Sequence, residues 1–240
     1  MMKIKSNLIL SGGWAHNFAA SVPNLVETLN AVGFASDVAF DVSGSIQLLE
    51  SKNYDLITVL ACWFQMQDAR YSQQNREIWS RTTNQRWRDA MLRQKNNGAG
   101  LLAMHTATIC FDDWDDWPKW VGGSWDWKNS SHPPLGDLNI APSADHVIVA
   151  GVEPFVIRDE LYSNLLRDDS SQVILQSSDG KSTQPTLWVS ENKFGRAVYN
   201  ALGHDLVSVS HLAHQQLIKR SALWACHTPD SDVQAITLQQ

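Results

Sequence analysis

With 240 residues, 43% of them hydrophobic, and a formal net charge of -6, the chain can bury a full α/β core and lacks the basic surplus of a nucleic-acid binder. Its three cysteines, Cys62, Cys110 and Cys226, are far apart and form no CxxC pair, which argues against a disulfide framework or a thiolate zinc site and favours a reducing compartment. No stretch is long and apolar enough to span a membrane, and no apolar leader with a cleavage site opens the chain, so a cytoplasmic protein without a membrane partner is expected.

Asn7 to Ser11 is an apolar run that empties into Gly12-Gly13-Trp14-Ala15-His16, a glycine turn carrying an indole and an imidazole. A helix starting at Ser21-Val22-Pro23 follows, with Val22, Leu25, Val26, Leu29 and Val32 at helical spacing and Gly33 as its stop. Neither G-x-G-x-x-G nor the ending of a P-loop is present, so no nucleotide is expected. Phe34 to Phe40 suits a second strand, Ile46 to Leu49 a short helix, and Asp55 to Leu60 a buried strand releasing Cys62-Trp63. Ile78, Trp79, Trp87, Met91 and Leu92 predict one long helix over Tyr71 to Lys95. Ala99 to Met104 is almost wholly apolar and reads as a strand buried on both faces. It releases His105 at its carboxyl end, where an open α/β sheet places its chemistry.

Of the 11 tryptophans, Trp114, Trp117, Trp120, Trp125 and Trp127 fall in one aspartate-rich segment. Indole faces beside carboxylates suit a sugar ring, whose C–H face stacks while its hydroxyls bond to the acids; equally, such residues can pin a long excursion onto the sheet. Beyond it, strand succeeds strand (Gly136 to Ile140, His146 to Val149, Phe155 to Tyr162, Val173 to Gln176, Thr186 to Val189 and the run from Gly195) until a helix returns over His211 to Ala225. The expected fold is a single α/β domain over residues 1–240: a doubly wound, mostly parallel sheet with helices on both faces and antiparallel additions at one edge.

Three predicted strands thus end in His16, His105 and His204-Asp205, and the topology brings such ends to one mouth. The pieces Ser11-Gly-Gly, His16, Gly98-x-Gly-Leu-Leu-x-x-His105, Gly122-Gly123, Ser131-His132-Pro133, Asp159-Glu-Leu-Tyr162, Trp188, Gly195-Arg196 and Leu202-Gly-His-Asp205 resemble, in order, the ThuA-like or trehalose-utilisation family. The resemblance implies the flavodoxin-like fold of the class I glutamine amidotransferase group. His105 stands where amidotransferases present a nucleophilic cysteine, so thiolate acyl transfer is not expected.

Family membership implies sugar catabolism, with a disaccharide or an oxidised 3-keto glycoside as substrate, made by a partner dehydrogenase and processed by lyase, hydrolase or isomerase chemistry. On this reading His105 and His204 act as acid/base groups or metal ligands, Asp205 orients His204, and Glu160 is a candidate base. Trp14, His16, Trp125, His132, Asp159, Tyr162 and Arg196 are candidate substrate contacts. His16, His105 and His204 are candidate ligands of a divalent metal, which is left open, as are a homo-oligomer and a partner oxidoreductase. The alternative is a non-enzymatic carbohydrate-binding protein or an accessory subunit of a sugar oxidoreductase.

Overall fold

In the computed structural model, which describes residues 4–238, the apolar runs lie side by side in one nine-stranded sheet. The first half alternates strand and helix: β1 (Lys5–Gly13), α1 (Phe18–Asn30), β2 (Phe34–Ala39), α2 (Val42–Ser51), β3 (Leu56–Cys62), α3 (Gln73–Trp79), α4 (Gln85–Asn96) and β4 (Gly100–Met104). A short 3-10 turn (His105–Thr108) leads to α5 (Trp117–Val121) and β5 (Gly123–Ser124). Then come β6 (Gly136–Pro142), β7 (Phe155–Asp159), β8 (Leu166–Arg167), β9 (Gln172–Ser178), β10 (Thr183–Asn192) and β11 (Gly195–Asn200). Three helices close the chain, α6 (Leu206–Val209), α7 (Leu212–Ala225) and α8 (Asp230–Gln234).

The strand order is β2-β1-β3-β4-β11-β10-β9-β6-β7, with β5 and β8 paired separately. The first five strands are mutually parallel, and β10, β9, β6 and β7 add on in alternating directions. This is the mostly parallel α/β sheet with an antiparallel edge that the sequence predicts.

Strands β3 and β4 are buried along their whole length, which is why they carry unbroken apolar runs rather than an alternating pattern. Their side chains nonetheless sort by face. Leu56, Leu60 and Cys62 point into a core shared with Leu25 and Leu29 of α1 and with Leu217 and Ile218 of α7. Ile57, Val59 and Ala61 point into the opposite core with Ile46 and Leu49 of α2 and Trp87 and Met91 of α4. The carboxyl end of α7 lies so close to β4 that a Cβ on Gly100 would sit 2.4 Å from the Ala225 carbonyl oxygen, so only glycine fits there.

The antiparallel edge curls. Tyr162, just past β7, lies within 3.3 Å of His105, just past β4. In a flat sheet these two strands, five steps apart in the order, would be about 24 Å apart. A register irregularity in β10 between Pro185 and Trp188 falls within this edge, where such a break bends a strand.

Four local expectations are corrected. The helix predicted over Tyr71 to Lys95 is two helices, because Thr83 binds the Asp113 carboxylate through its amide and hydroxyl, and Asn84 caps α4 by accepting from Trp87 N at 2.9 Å. Ile78, counted among the apolar positions that would bury one side of that helix, is exposed. His146 to Val149 is a turn, not a strand: Val149 N donates to His146 O at 3.0 Å, and the apolar side chains are buried without joining the ladder. Helix α1 begins at Phe18 rather than Ser21, with Asn17 as its cap.

Candidate active site

The carboxyl ends of the parallel strands form one mouth. Gly13, at φ +110, ends β1 against β3 so tightly that a Cβ would sit 2.2 Å from the Cys62 carbonyl oxygen. The chain then turns, and the His16 ring comes back over the sheet with Nδ1 3.1 Å from Trp14 O. His105, the first residue after β4, has φ +49, a left-handed elbow unusual for a side chain of this size. That side chain is wholly buried: Nδ1 lies 2.8 Å from Ala201 O, and the Tyr199 hydroxyl donates to the His105 carbonyl at 2.8 Å. Because four antiparallel pairings restore the direction of β11, β7 also points its carboxyl end at this mouth and delivers Glu160 there.

Each Nδ1 faces a carbonyl oxygen to which it can donate, so in the neutral ring of His16 or His105 the nitrogen left with its lone pair is Nε2. These two nitrogens face each other at 3.1 Å. Glu160 Oε2 is 3.4 Å from His105 Nε2, and Glu160 Oε1 is 3.3 Å from His204 Nδ1 and 3.4 Å from His132 Nδ1. The Tyr162 hydroxyl reaches His105 Nε2 at 3.3 Å. One donor atom from each of His16, His105, Glu160 and His204 lies within 4.8 Å of the others, a set able to hold a divalent ion.

The electrostatics divide these groups. Burial and the neighbouring His105 push His16 down to about 3, so it stays neutral near pH 7. Glu160 loses some solvation, but the His105, His204 and His132 rings around it hold its carboxyl well below the usual range, making it a permanent anion and a weak base. That carboxylate in turn raises His204. His204 and His132 reach solvent, with side-chain exposures of 23% and 39%, and form the accessible side of the cluster.

The remaining expected site residues are placed as follows. Asp205 does not orient His204: its carboxylate accepts from Ser208 N at 3.0 Å and caps α6. Asp159 is fully buried and accepts from Gly203 N at 2.8 Å, from Glu160 N at 2.8 Å and from the Ser208 hydroxyl, so it braces the backbone on either side of the cluster instead of meeting substrate. Arg196 lies at the amino end of β11, the far edge of the sheet from the mouth, paired with Glu191 at 3.1 Å and stacked on Trp224. Arg196→Met is therefore expected to change turnover by no more than about twofold, checked by steady-state kinetics.

Trp14 packs edge-on against Tyr71 and Trp79 beside the mouth. Trp125 is buried against Tyr162, with ring centroids 5.4 Å apart, and its Nε1 has no hydrogen-bond partner among the described residues. On its other side is a cavity of about 190 Å³ lined by Trp114, Trp127, Asp112 and Asp115 among others. Trp114, Trp117 and Trp120 are core residues that pin the excursion to the sheet, Trp117 through a 2.9 Å bond to Ala107 O. Two larger hollows, about 580 and 590 Å³, flank residues 150–152 and include no member of the histidine cluster. Cys62 and Cys110 are buried, with their thiols pushed up, Cys110 to about 12, so neither is a nucleophile at neutral pH.

Sequence reasoning passed over a buried polar chain behind the cluster. His214 keeps Nδ1 2.9 Å from Ser208 O and Nε2 3.0 Å from Asn200 Nδ2, a fully satisfied neutral ring that burial pushes down to about 4. An imidazole depressed in the folded state stabilises the fold fully above its ordinary 6.5 and loses that contribution as pH falls towards 4. The expected loss is roughly 3 kcal/mol. Urea titrations between these pH values should show His214→Gln flattening this part of the wild-type slope; an unchanged slope would exclude the assignment.

The sequence matches the family described as trehalose utilisation, ThuA, over residues 7–225. The chain belongs to the ThuA family. A sugar-related role follows at that coarse level. Among solved structures, this ThuA protein is similar to a thuA-like protein from Parabacteroides merdae, at 19% identity and a TM-score of 0.74, covering 93% of this chain and 90% of that one. A thuA-like protein from Bacteroides uniformis is 16% identical with a TM-score of 0.65, covering 94% and 93% respectively. A cytoplasmic protein from Salmonella typhimurium LT2 is 14% identical with a TM-score of 0.56, covering 97% and 99%. At these identities the likeness establishes the fold. No curated protein matches the sequence. Among the described residues no helix is long and apolar enough to cross a membrane.

Proposed function

We propose that this ThuA protein is an enzyme of sugar catabolism acting on a disaccharide or an oxidised 3-keto glycoside, with the histidine–glutamate cluster as its catalytic centre. The observation that carries the proposal is the convergence of His16, His105, His204 and Glu160 from four separate segments on one partly open mouth, where the Nε2 atoms of His16 and His105 face each other at 3.1 Å. A fold gains nothing from opposing lone pairs; a reaction centre needs groups held in readiness for a proton or a positive charge.

A 3-keto group acidifies the C–H at C2. An imidazole lone pair takes that proton, the electron pair forms the C1–C2 double bond, and the C1–O glycosidic bond breaks. The leaving oxygen takes up a proton, and later addition of water across the double bond completes net hydrolysis. The reaction asks for one base, one proton donor and positive charge near the ketone oxygen, which His, His⁺ and their neighbours supply. Glu160 lies beside the imidazoles and favours the charged form of His204.

Incubating the protein with a 3-keto disaccharide and following the freed sugar tests the proposal. Product formation is expected; quenching of tryptophan fluorescence by the sugar with no product would favour a binding module instead.

A further inference from the structure

We infer that His16 Nε2, His105 Nε2, His204 Nδ1 and the Glu160 carboxylate form a binding site for one divalent transition-metal ion of the zinc class. Ligands about 2.1 Å from a tetrahedral ion lie about 3.4 Å from one another. Three of the spacings, 3.1 Å between the two Nε2 atoms, 3.4 Å from His105 Nε2 to Glu160 Oε2 and 3.3 Å from His204 Nδ1 to Glu160 Oε1, are of that size, and one donor atom from each of the four residues lies within 4.8 Å of the others.

Two further features separate this site from a chance meeting of side chains. The ring nitrogens of His16 and His105 that face away from the cluster are tied to backbone carbonyls, the arrangement that fixes the tautomer of a ligating histidine. His204 Nδ1 is buried yet makes no well-formed hydrogen bond among the described residues, although Glu160 is 3.3 Å away. One proton shared between His16 and His105 would relieve their opposed lone pairs but would leave His204 Nδ1 as it is; a metal ion satisfies all three nitrogens together. Three imidazoles with one carboxylate favour zinc, cobalt, nickel or manganese over magnesium or calcium, which prefer all-oxygen shells.

Within the proposed reaction such an ion would supply the positive charge near the ketone. His132, outside the ligand set but 3.4 Å from Glu160, then remains to carry the proton. Metal binding by these four residues does not depend on the substrate and can be measured without one.

Protein stripped with a chelator is titrated separately with Zn²⁺, Co²⁺ and Mg²⁺, and bound metal is counted by elemental analysis after gel filtration. One equivalent of Zn²⁺ or Co²⁺ per chain and none of Mg²⁺ is expected, with a visible Co²⁺ absorption band and a rise in Tm. His16→Ala, His105→Asn and Glu160→Gln should each weaken Zn²⁺ binding by at least ~100-fold, beyond the loss typical of a supporting partner. His227→Asn, a change at an exposed histidine, should leave it unaltered. Wild-type protein that retains no metal, or variants at His16 and Glu160 that bind as wild type does, would overturn the site. Should His105→Asn fail to fold, the wild-type stoichiometry, the Co²⁺ spectrum and the other two variants still decide it.

Discussion

His105→Asn is expected to reduce turnover of a 3-keto disaccharide by about 1,000-fold or more while leaving a folded protein. Loss of a positioned proton-transfer group typically costs 10²–10⁴-fold, and loss of a ligand to a metal ion that polarises the ketone should cost no less; His105 stands at the centre of the cluster, within 3.4 Å of His16, Glu160 and Tyr162 alike. Asparagine is the informative replacement because the residue sits at φ +49, a left-handed conformation that asparagine tolerates, whereas alanine would add backbone strain to the lost chemistry. Steady-state kinetics beside a thermal melt provide the check. A folded variant retaining more than about a tenth of wild-type kcat/KM would remove His105 from the reaction.

Trp117→Ala should destabilise the protein by about 3–5 kcal/mol, the range for deleting a buried aromatic side chain. Trp117 is 1% exposed, with Phe111 4.8 Å away by ring centroid, Trp114 and Trp120 at 6.3 and 6.1 Å, and its Nε1 bonded to Ala107 O within the turn that follows His105. Urea unfolding measures the loss. Had the tryptophan-rich segment served chiefly as a sugar platform, the same substitution would leave stability near wild type and raise KM; for Trp117 the geometry predicts the reverse. Trp125 differs, lying against Tyr162 and His132 at the edge of the cluster.

The parallel half of the fold is legible in the sequence because fully buried strands must be unbroken apolar runs, and each run ends at the residue it releases. Hence His16, His105 and His204 could be expected at one mouth from chain order alone. Glu160 could not be placed in the same way: whether β7 runs towards the mouth or away depends on the number of reversals after β11, and no local residue encodes that number. Asp205 reads equally well as a partner for His204 and as a helix cap, and α6, only four residues long, is too short to show the periodicity that would decide. Arg196 was open to better reading. A residue beginning a parallel strand lies at the opposite end of the sheet from one that leaves it, so Gly195-Arg196 could not share a site with His204.

The curl of the antiparallel edge makes the carboxylate at the mouth a long-distance guest. Glu160 arrives by way of β10, β9, β6 and β7, whereas the three histidines belong to the parallel half. If that flap were to peel back as a unit, the imidazoles would keep their places and lose the one anion that the described residues bring to the cluster, so the chemical identity of the centre would change before the parallel half of the sheet came apart. Catalytic competence in this protein therefore doubles as a gauge of whether its last-added strands are seated.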